Sequence, residues 1–286
     1  MGCIAFRIYV GRSNRISDRI AIKDIPDAAF DQFQFKQKNI KKVSIHTPSN
    51  LDLHALLISN DSNTWVVIVH GYKDSAKGMS KWADHFFGLE HNILMPDLRA
   101  HGRSAGKYIG FGWLEKEDLL QWVDFIVNLD DNAQIVLYGV SMGGAAVLMA
   151  AAQGVTQNVK GIITDSAPAD ILVVAKRALK WKYGILTPII IAEINILAKL
   201  LAGYKLEDAS VAKYAKNISL PTLLIHGGAD GFVIPINQIM IFDCLENTKK
   251  ALTIKDANHT QSVDVSPKEY WKEVDAFLQK LFYNIN

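Results

Sequence analysis

The stretch LYGVSMGGAAVLM, residues 137–149, decides the fold. An apolar run typical of a buried strand leads to Ser141, and an alanine-rich run typical of a helix follows it. Gly139 lies two positions before the serine and Gly143 lies two positions after it. A sharp strand-to-helix turn strains the backbone at its central residue and leaves no room for flanking side chains. The spacing therefore predicts that Ser141 stands on such a turn.

The serine has two interpretations, a nucleophile or a structural residue in a buried turn. A glycine-rich phosphate loop is disfavoured, because the segment has neither a Gly-Lys-Ser/Thr triplet nor a spaced GxGxxG pattern. The first N–H groups of the following helix would face a developing oxyanion. The strand and helix on either side favour the nucleophile.

The composition is that of an ordinary globular chain of 286 residues, with 49% apolar and 21% charged residues. The net charge is +2 and the basic residues form no stripe, which argues against a nucleic-acid partner. Cys3 and Cys244 are far apart and are expected to be free thiols. No metal-ligand spacing stands out, so we expect neither a metal nor a cofactor.

Apolar runs alternate with helix-like segments along most of the chain. Two strands joined by a Pro-Ser-Asn turn (41–47 and 51–59) indicate a hairpin, and six buried runs begin near residues 64, 92, 133, 159, 221 and 251. Helices are predicted over 78–87, 113–129, 143–153, 235–246 and 267–283. The alternation predicts an α/β fold with a mostly parallel, doubly wound sheet of about eight strands and helices on both faces.

The predicted domain organisation is an N-terminal arm over residues 1–38 followed by one α/β domain over 39–286. Residues 168–218 interrupt the alternation with two or three helical patterns and no strand. An insertion of this size predicts a short helical cap over the site, with an extra packing layer as the alternative.

The N-terminal sequence MGCIAFRIYVGR has neither a secretory signal nor a myristoylation pattern. The apolar stretch 185–203 contains Glu193, Asn195 and Lys199, which argue against a membrane span and for amphipathic helices. The expected location is the cytoplasm, or a membrane if an anchoring segment precedes Met1.

A serine nucleophile needs a base, and the chain has eight histidines. His259 follows the last predicted strand and has no apolar pattern around it. In the expected strand order its loop returns to Ser141, which makes it the preferred base. The other seven are expected in packing, surface or loop-ordering positions: His46, His54, His70, His85, His91, His101 and His226.

The acid that orients the base has three candidates. Asp230 follows a strand end and precedes His259 by 29 residues, whereas Asp165 ends the preceding strand. Asp256 lies only three residues from His259, a spacing more typical of a turn. Asp230 is preferred, with the role of fixing the imidazole tautomer.

An oxyanion formed at the serine needs donors that are already in place. The backbone N–H of Met142, directly after Ser141, and that of Tyr72, after the strand-ending His-Gly, are the candidates. A simple glycine turn is the alternative for the second segment.

The chain resembles the α/β-hydrolase superfamily over roughly residues 40–284. The motifs that carry the resemblance are HGY, DLRAHGRS, GVSMGG, HGGADGFV and NH, in this order along the chain. The segments MPDLRAHGRSAGKYIGFGWLEKEDLLQW and YGVSMGGAAVLMA are similar to bacterial serine hydrolases described as esterases, lysophospholipase-like or peptidase-like proteins. That group often carries an N-terminal membrane anchor, and it often has a glycine where Ala100 stands here.

The resemblance implies Ser141 as nucleophile, Asp230 as acid and His259 as base, with Tyr72 and Met142 as oxyanion donors. It also implies a small ester or acyl substrate. An acylaminoacyl or prolyl-type peptidase and a non-catalytic binding scaffold are the alternatives. Arg99 and Arg103 are expected to brace a loop rather than bind an anion, and the oligomeric state is open.

Overall fold

A computed structural model of the chain describes residues 2–12, 33 and 40–283. Within them, eight strands form a single sheet. The strands are β1 (Lys41–His46), β2 (Asp52–Ile58), β3 (Thr64–Val69), β4 (Asn92–Pro96), β5 (Gln134–Val140), β6 (Val159–Asp165), β7 (Thr222–Gly227) and β8 (Lys249–Ile254).

The strand order across the sheet is β1-β2-β4-β3-β5-β6-β7-β8. β1 and β2 form the predicted antiparallel hairpin, with Lys41 opposite Leu57 and His46 opposite Asp52. β2 is also antiparallel to β4, and the pairings from β4 through β8 are parallel. The predicted mostly parallel sheet is therefore confirmed, and its central strands β3, β5 and β7 are buried on both faces.

The described residues contain ten α-helices, several of them joined by short 3-10 turns. They are α1 (Gly2–Tyr9), α2 (Ser80–Gly88), α3 (Glu115–Leu129), α4 (Met142–Gln153), α5 (Ile171–Tyr183), α6 (Thr187–Ala202), α7 (Val211–Tyr214), α8 (Ile236–Cys244), α9 (Ser262–Val265) and α10 (Pro267–Tyr283). The five predicted helices are present, with ends that differ by a few residues. α3 begins at Glu115 rather than Trp113, because the Glu115 carboxylate accepts from the N–H groups of Gly110 and Gly112 and holds the preceding turn.

Helices cover both faces of the sheet, as predicted. On one face Trp122 of α3, Val147 of α4 and Ile241 of α8 share a buried core with Val67. On the other face Phe86 of α2 and the α10 side chains pack against alternate positions of the same strands. The period-two alternation of strand side chains supplies both cores.

Between β6 and β7 the chain forms α5, the 3-10 turn Gly184–Leu186, α6 and α7, with no strand among them. Ala5 and Phe6 of α1 pack with Ile190 and Ile194 of α6 in a third, separate core. Residues 1, 13–32 and 34–38 of the predicted N-terminal arm lie outside the described residues. The predicted domain limits and the role of 168–218 as a cap stay predictions.

Candidate active site

Ser141 lies at the turn between β5 and α4 with φ 53° and ψ −118°. A positive φ is strained for a residue with a side chain, and such strain often marks a functional site. The turn is held from behind, because the Ser141 N–H donates to the Asp165 carbonyl at 2.8 Å. The serine stands where the carboxyl ends of the parallel strands meet, which is the ligand-binding edge of a doubly wound sheet.

The glycines around the serine are required by close backbone contacts. A Cβ on Gly139 would lie 2.4 Å from the Gly143 carbonyl oxygen, and one on Gly143 would lie 2.3 Å from the Val69 oxygen. Real Cβ atoms do not approach backbone oxygens this closely. The prediction that these positions tolerate no side chain agrees with the geometry.

Three of the predicted site residues form one hydrogen-bond chain. Ser141 Oγ lies 2.9 Å from His259 Nε2, and His259 Nδ1 lies 2.7 Å from Asp230 Oδ2. An ionised carboxylate only accepts, so Nδ1 carries the proton and Nε2 is left to accept from the serine hydroxyl. This tautomer is the one that a histidine base needs.

Asp230 is held in its ionised form by its neighbours. Burial alone would raise the pKa of this carboxyl, but hydrogen bonds from the His226 and His259 side chains and from backbone N–H groups hold its pKa well below the ordinary value. Its Oδ1 accepts from the N–H groups of Phe232 and Val233, each at 2.9 Å. Hydrogen bonds to the charged form are the physical cause.

His226 also bears on this carboxylate, a contact that the sequence did not reveal. Its Nε2 lies 2.7 Å from the Val233 carbonyl and 3.5 Å from Asp230 Oδ2. A carbonyl only accepts, so Nε2 carries a proton and directs a partial positive charge toward Asp230. The prediction that His226 orders a loop is correct, but the loop it orders is that of the acid.

The competing acids are placed elsewhere. Asp165 is fully buried, accepts from the hydroxyls of Ser166 and Ser262, and has a pKa raised by burial. His259 Nδ1 pairs with Asp230 instead, although the strand of Asp165 ends at the same edge. Asp256 is exposed in the turn after β8.

The remaining loop histidines join the two turns that flank the serine. His70 Nε2 accepts from the Leu98 N–H at 3.0 Å, and His101 Nε2 accepts from the Lys73 N–H at 3.1 Å. Burial lowers the pKa of His70 to about 4 and that of His101 to about 3, so both imidazoles are neutral. Their neutral form is what allows each ring to accept.

The loop 97–106 is structural, as predicted. The guanidinium of Arg99 makes two hydrogen bonds of 2.6 Å to the Asp118 carboxylate, and the Arg103 N–H donates to Asp97. Ala100, where the resemblance leads us to expect glycine, has φ 60°, the region that favours glycine.

An apolar cavity of about 230 Å³ opens at Ser141. Its walls include both residues predicted as oxyanion donors, Tyr72 and Met142, and the aromatic ring of Phe111. Among the residues that the structure describes, none that lines the cavity is charged. The other lining residues are Tyr9, Val10, Pro168, Ile171, Val174, Ala175, Ala178, Leu179, Ile194, Leu206, Phe232 and Val233.

The sequence missed the contribution of α1 to this cavity. Tyr9 and Val10 form part of the wall, and the Tyr72 hydroxyl donates to the Tyr9 carbonyl at 2.8 Å. The available signal was the amphipathic pattern of residues 2–9, with Ala5 and Phe6 on one side. Phe111 lines the cavity, whereas Trp113, two residues later, packs against Tyr214.

The part of the chain with described coordinates has no group of three or more histidine, cysteine or acidic side chains that could hold a metal ion. Cys3 and Cys244 are free.

Comparisons with known proteins agree with the architecture. A sequence model described as the alpha/beta hydrolase fold matches residues 64–203. The uncharacterized protein YqkD of Bacillus subtilis is 24% identical over 268 residues, 93% of this chain and 88% of that protein. The Pyrococcus furiosus esterase Pf2001 superposes with a TM-score of 0.71 at 24% identity, covering 85% of this chain and 93% of that one.

The acylaminoacyl peptidase of Pyrococcus horikoshii superposes with a TM-score of 0.63 at 20% identity, over 86% of this chain but only 43% of the longer peptidase. Sheet order, the serine turn and these similarities together show that the chain has the α/β-hydrolase fold.

Proposed function

We propose that the protein hydrolyses carboxylic esters through an acyl-enzyme formed on Ser141. The observation that carries this proposal is the hydrogen-bond chain from Ser141 through His259 to Asp230, which begins at the wall of an apolar cavity. A serine, an oriented imidazole and an ionised carboxylate are the three groups of nucleophilic acyl transfer.

In the first half of the reaction Ser141 Oγ attacks the ester carbonyl carbon while His259 Nε2 takes the hydroxyl proton. The tetrahedral intermediate then expels the alcohol, which receives that proton from His259. In the second half a water molecule loses a proton to His259 and attacks the acyl-enzyme, which releases the carboxylic acid and returns the proton to Ser141. Asp230 stabilises the imidazolium in both halves and stays ionised.

The proposed oxyanion donors are the backbone N–H groups of Met142 and Tyr72. Met142 is the first residue of α4, where N–H groups have no partner within the helix. Tyr72 follows Gly71, and a Cβ on Gly71 would lie 3.4 Å from Ser141 Cβ, so this loop passes directly beside the serine. Each such donor is worth about 3–4 kcal/mol in the transition state.

The cavity favours esters with an apolar acyl group. The described part of the wall offers no counter-charge to a charged side chain of a peptide, since its polar side-chain groups are the hydroxyls of Ser141, Tyr9 and Tyr72. This composition disfavours the peptidase alternative. It leaves the binding-scaffold alternative to experiment.

Hydrolysis of p-nitrophenyl acetate, butyrate, octanoate and dodecanoate by the purified full chain tests the proposal. We expect turnover that is lost in Ser141→Ala and retained in Ser44→Ala, a matched change at an exposed position of the edge strand β1. N-acetyl-alanyl p-nitroanilide in parallel tests the peptidase alternative. Absence of turnover on every ester would overturn the proposal, and turnover of the anilide alone would replace it.

A further inference from the structure

The helices that wall the cavity turn an unusually apolar outer side to solvent. Trp181 and Ile185, at the tip between α5 and α6, are each 93% exposed, and Leu200 near the end of α6 is 75% exposed. Ile189, Ile196 and Leu200 follow one another at seven- and four-residue steps and share one side of α6. We call this exposed apolar surface of α5 and α6 the cap face.

The helix α1 extends the cap face. It packs along α6 through Ala5 and Phe6, whereas Ile4 and Ile8, four positions apart, are exposed on its other side. Monomeric proteins rarely leave contiguous apolar surfaces of this extent in water, and such a surface marks an interaction site.

The cap face is suited to lie on a membrane rather than to cross it. Ile171–Ala202 is the one helical stretch of the described residues long and apolar enough to span a bilayer. The inner side of this stretch, however, packs against the rest of the protein, because Val174, Leu179 and Ile194 are buried and line the cavity. Spanning would remove these contacts, whereas lying in the interface leaves them intact.

The net positive charge of the helices that form the cap face favours an anionic partner. Residues 2–9 and 171–202 carry six basic residues and one acidic residue, a net charge of +5, whereas the whole chain carries +2. Lys176, Arg177, Lys180 and Lys182 are exposed on α5 around Trp181. The one acid, Glu193, accepts a hydrogen bond from the Gly2 N–H. Two copies of so basic a surface repel each other, whereas anionic lipid headgroups neutralise it.

We propose that the cap face docks on the surface of an anionic lipid bilayer, with Trp181 and Ile185 inserted among the headgroups and acyl chains and the lysines of α5 on the lipid phosphates. Interfacial helices combine exposed tryptophan and aliphatic side chains with a basic rim in this way. The docking does not require Ser141 to react, so it can hold or fail independently of the esterase proposal.

Flotation with lipid vesicles tests the docking on the full chain. We expect it to bind phosphatidylcholine vesicles that contain 30% phosphatidylglycerol more tightly than pure phosphatidylcholine vesicles, and less tightly as salt is raised. Trp181→Ser/Ile185→Ser should lower the partition coefficient at least tenfold. Each of Lys176→Gln, Lys180→Gln and Lys182→Gln should lower it about fivefold, since a basic residue at an anionic surface contributes ~1 kcal/mol.

The matched control is Leu129→Ser. Leu129 is 56% exposed at the end of α3, immediately before β5, and therefore lies at the opposite edge of the sheet from the cap face. The Leu129→Ser variant should bind vesicles as tightly as the native chain does. Ser141→Ala should do so as well, which separates docking from hydrolysis.

Three results would overturn the docking. They are equal binding to neutral and anionic vesicles, a loss in Leu129→Ser as large as in Trp181→Ser/Ile185→Ser, and no binding to any vesicle. Light scattering could instead show that the native chain is a dimer and that Trp181→Ser/Ile185→Ser is a monomer, and flotation could show no vesicle binding. That combination would assign the cap face to a second copy of the chain.

Discussion

Gly143→Ala is the substitution that tests most sharply how the serine turn is built. The added Cβ would lie 2.3 Å from the Val69 oxygen and 2.6 Å from the His70 oxygen, both backbone atoms of the strand that ends beside Ser141. Ordinary contacts begin near 3.4 Å. The start of α4 must therefore move by about 1 Å away from β3, since neither oxygen belongs to a flexible side chain.

Two effects of known size follow from this displacement. Overpacking of this kind costs about 1–3 kcal/mol of the free energy of unfolding. Alanine is by itself more favourable than glycine inside a helix, by up to about 1 kcal/mol. A net decrease in the free energy of unfolding would therefore be due to the clash. The movement carries Ser141 and the Met142 N–H with it, and a misplacement of about 1 Å at a reacting centre lowers the rate about 100-fold.

Urea unfolding and p-nitrophenyl butyrate hydrolysis measure the two effects. Gly231→Ala is the matched control, because a Cβ there meets nothing within 4 Å although the residue is next to Asp230. We expect Gly231→Ala to keep the native stability and rate. Native stability and turnover in Gly143→Ala would refute the close packing of β3 against α4.

Three further predictions concern the acid, the buried histidines and the cavity. Asp230→Asn replaces the carboxylate, which only accepts, with an amide that can also donate to His259 and favour the wrong tautomer, so kcat should fall about 10⁴-fold. A decrease of less than tenfold in p-nitrophenyl butyrate assays would exclude Asp230 from the mechanism. His70 has its folded-state pKa lowered to about 4, whereas an unfolded histidine titrates near 6.5. The unfolded state therefore binds the extra proton between these values, and the free energy of unfolding should fall with decreasing pH there, by about 1.4 kcal/mol per pH unit for this one group. His70→Gln should flatten that slope in urea titrations at pH 4.5–7, and an unchanged slope would show that the ring does not titrate this way. Ala175→Leu narrows the cavity at a lining position. It should lower kcat/KM for p-nitrophenyl dodecanoate at least tenfold and change kcat/KM for p-nitrophenyl acetate by less than twofold. Equal losses of kcat/KM on both esters would indicate another binding site for the acyl chain.

The sheet and the meeting of the three predicted site residues were accessible from the sequence because both depend on local patterns. Continuous apolar runs predict buried parallel strands, and polar residues directly after them must lie at one edge of the sheet. Ser141, Asp230 and His259 each follow a strand within a few residues. Their meeting is a consequence of strand order.

Contacts between distant segments were not accessible. Asp165 ends β6 and Asp230 lies just after β7, and only the folded loop after β7 shows that Asp230 is the one that reaches His259. The wall formed by Tyr9 and Val10 depends on the packing of α1 against α6, about 190 residues later in the sequence. The amphipathic pattern of residues 2–9 indicates that α1 packs against another element but does not identify that element.

The most direct test of the central claim is to locate a covalent adduct. The full chain is incubated with a fluorophosphonate, digested and analysed by mass spectrometry, beside Ser141→Ala and His259→Ala. We expect one phosphonate, on the peptide that contains Ser141, no adduct in Ser141→Ala, and labelling slowed at least 100-fold in His259→Ala. An unlabelled native chain, or an adduct on any other residue, would contradict the assignment of Ser141 as the nucleophile.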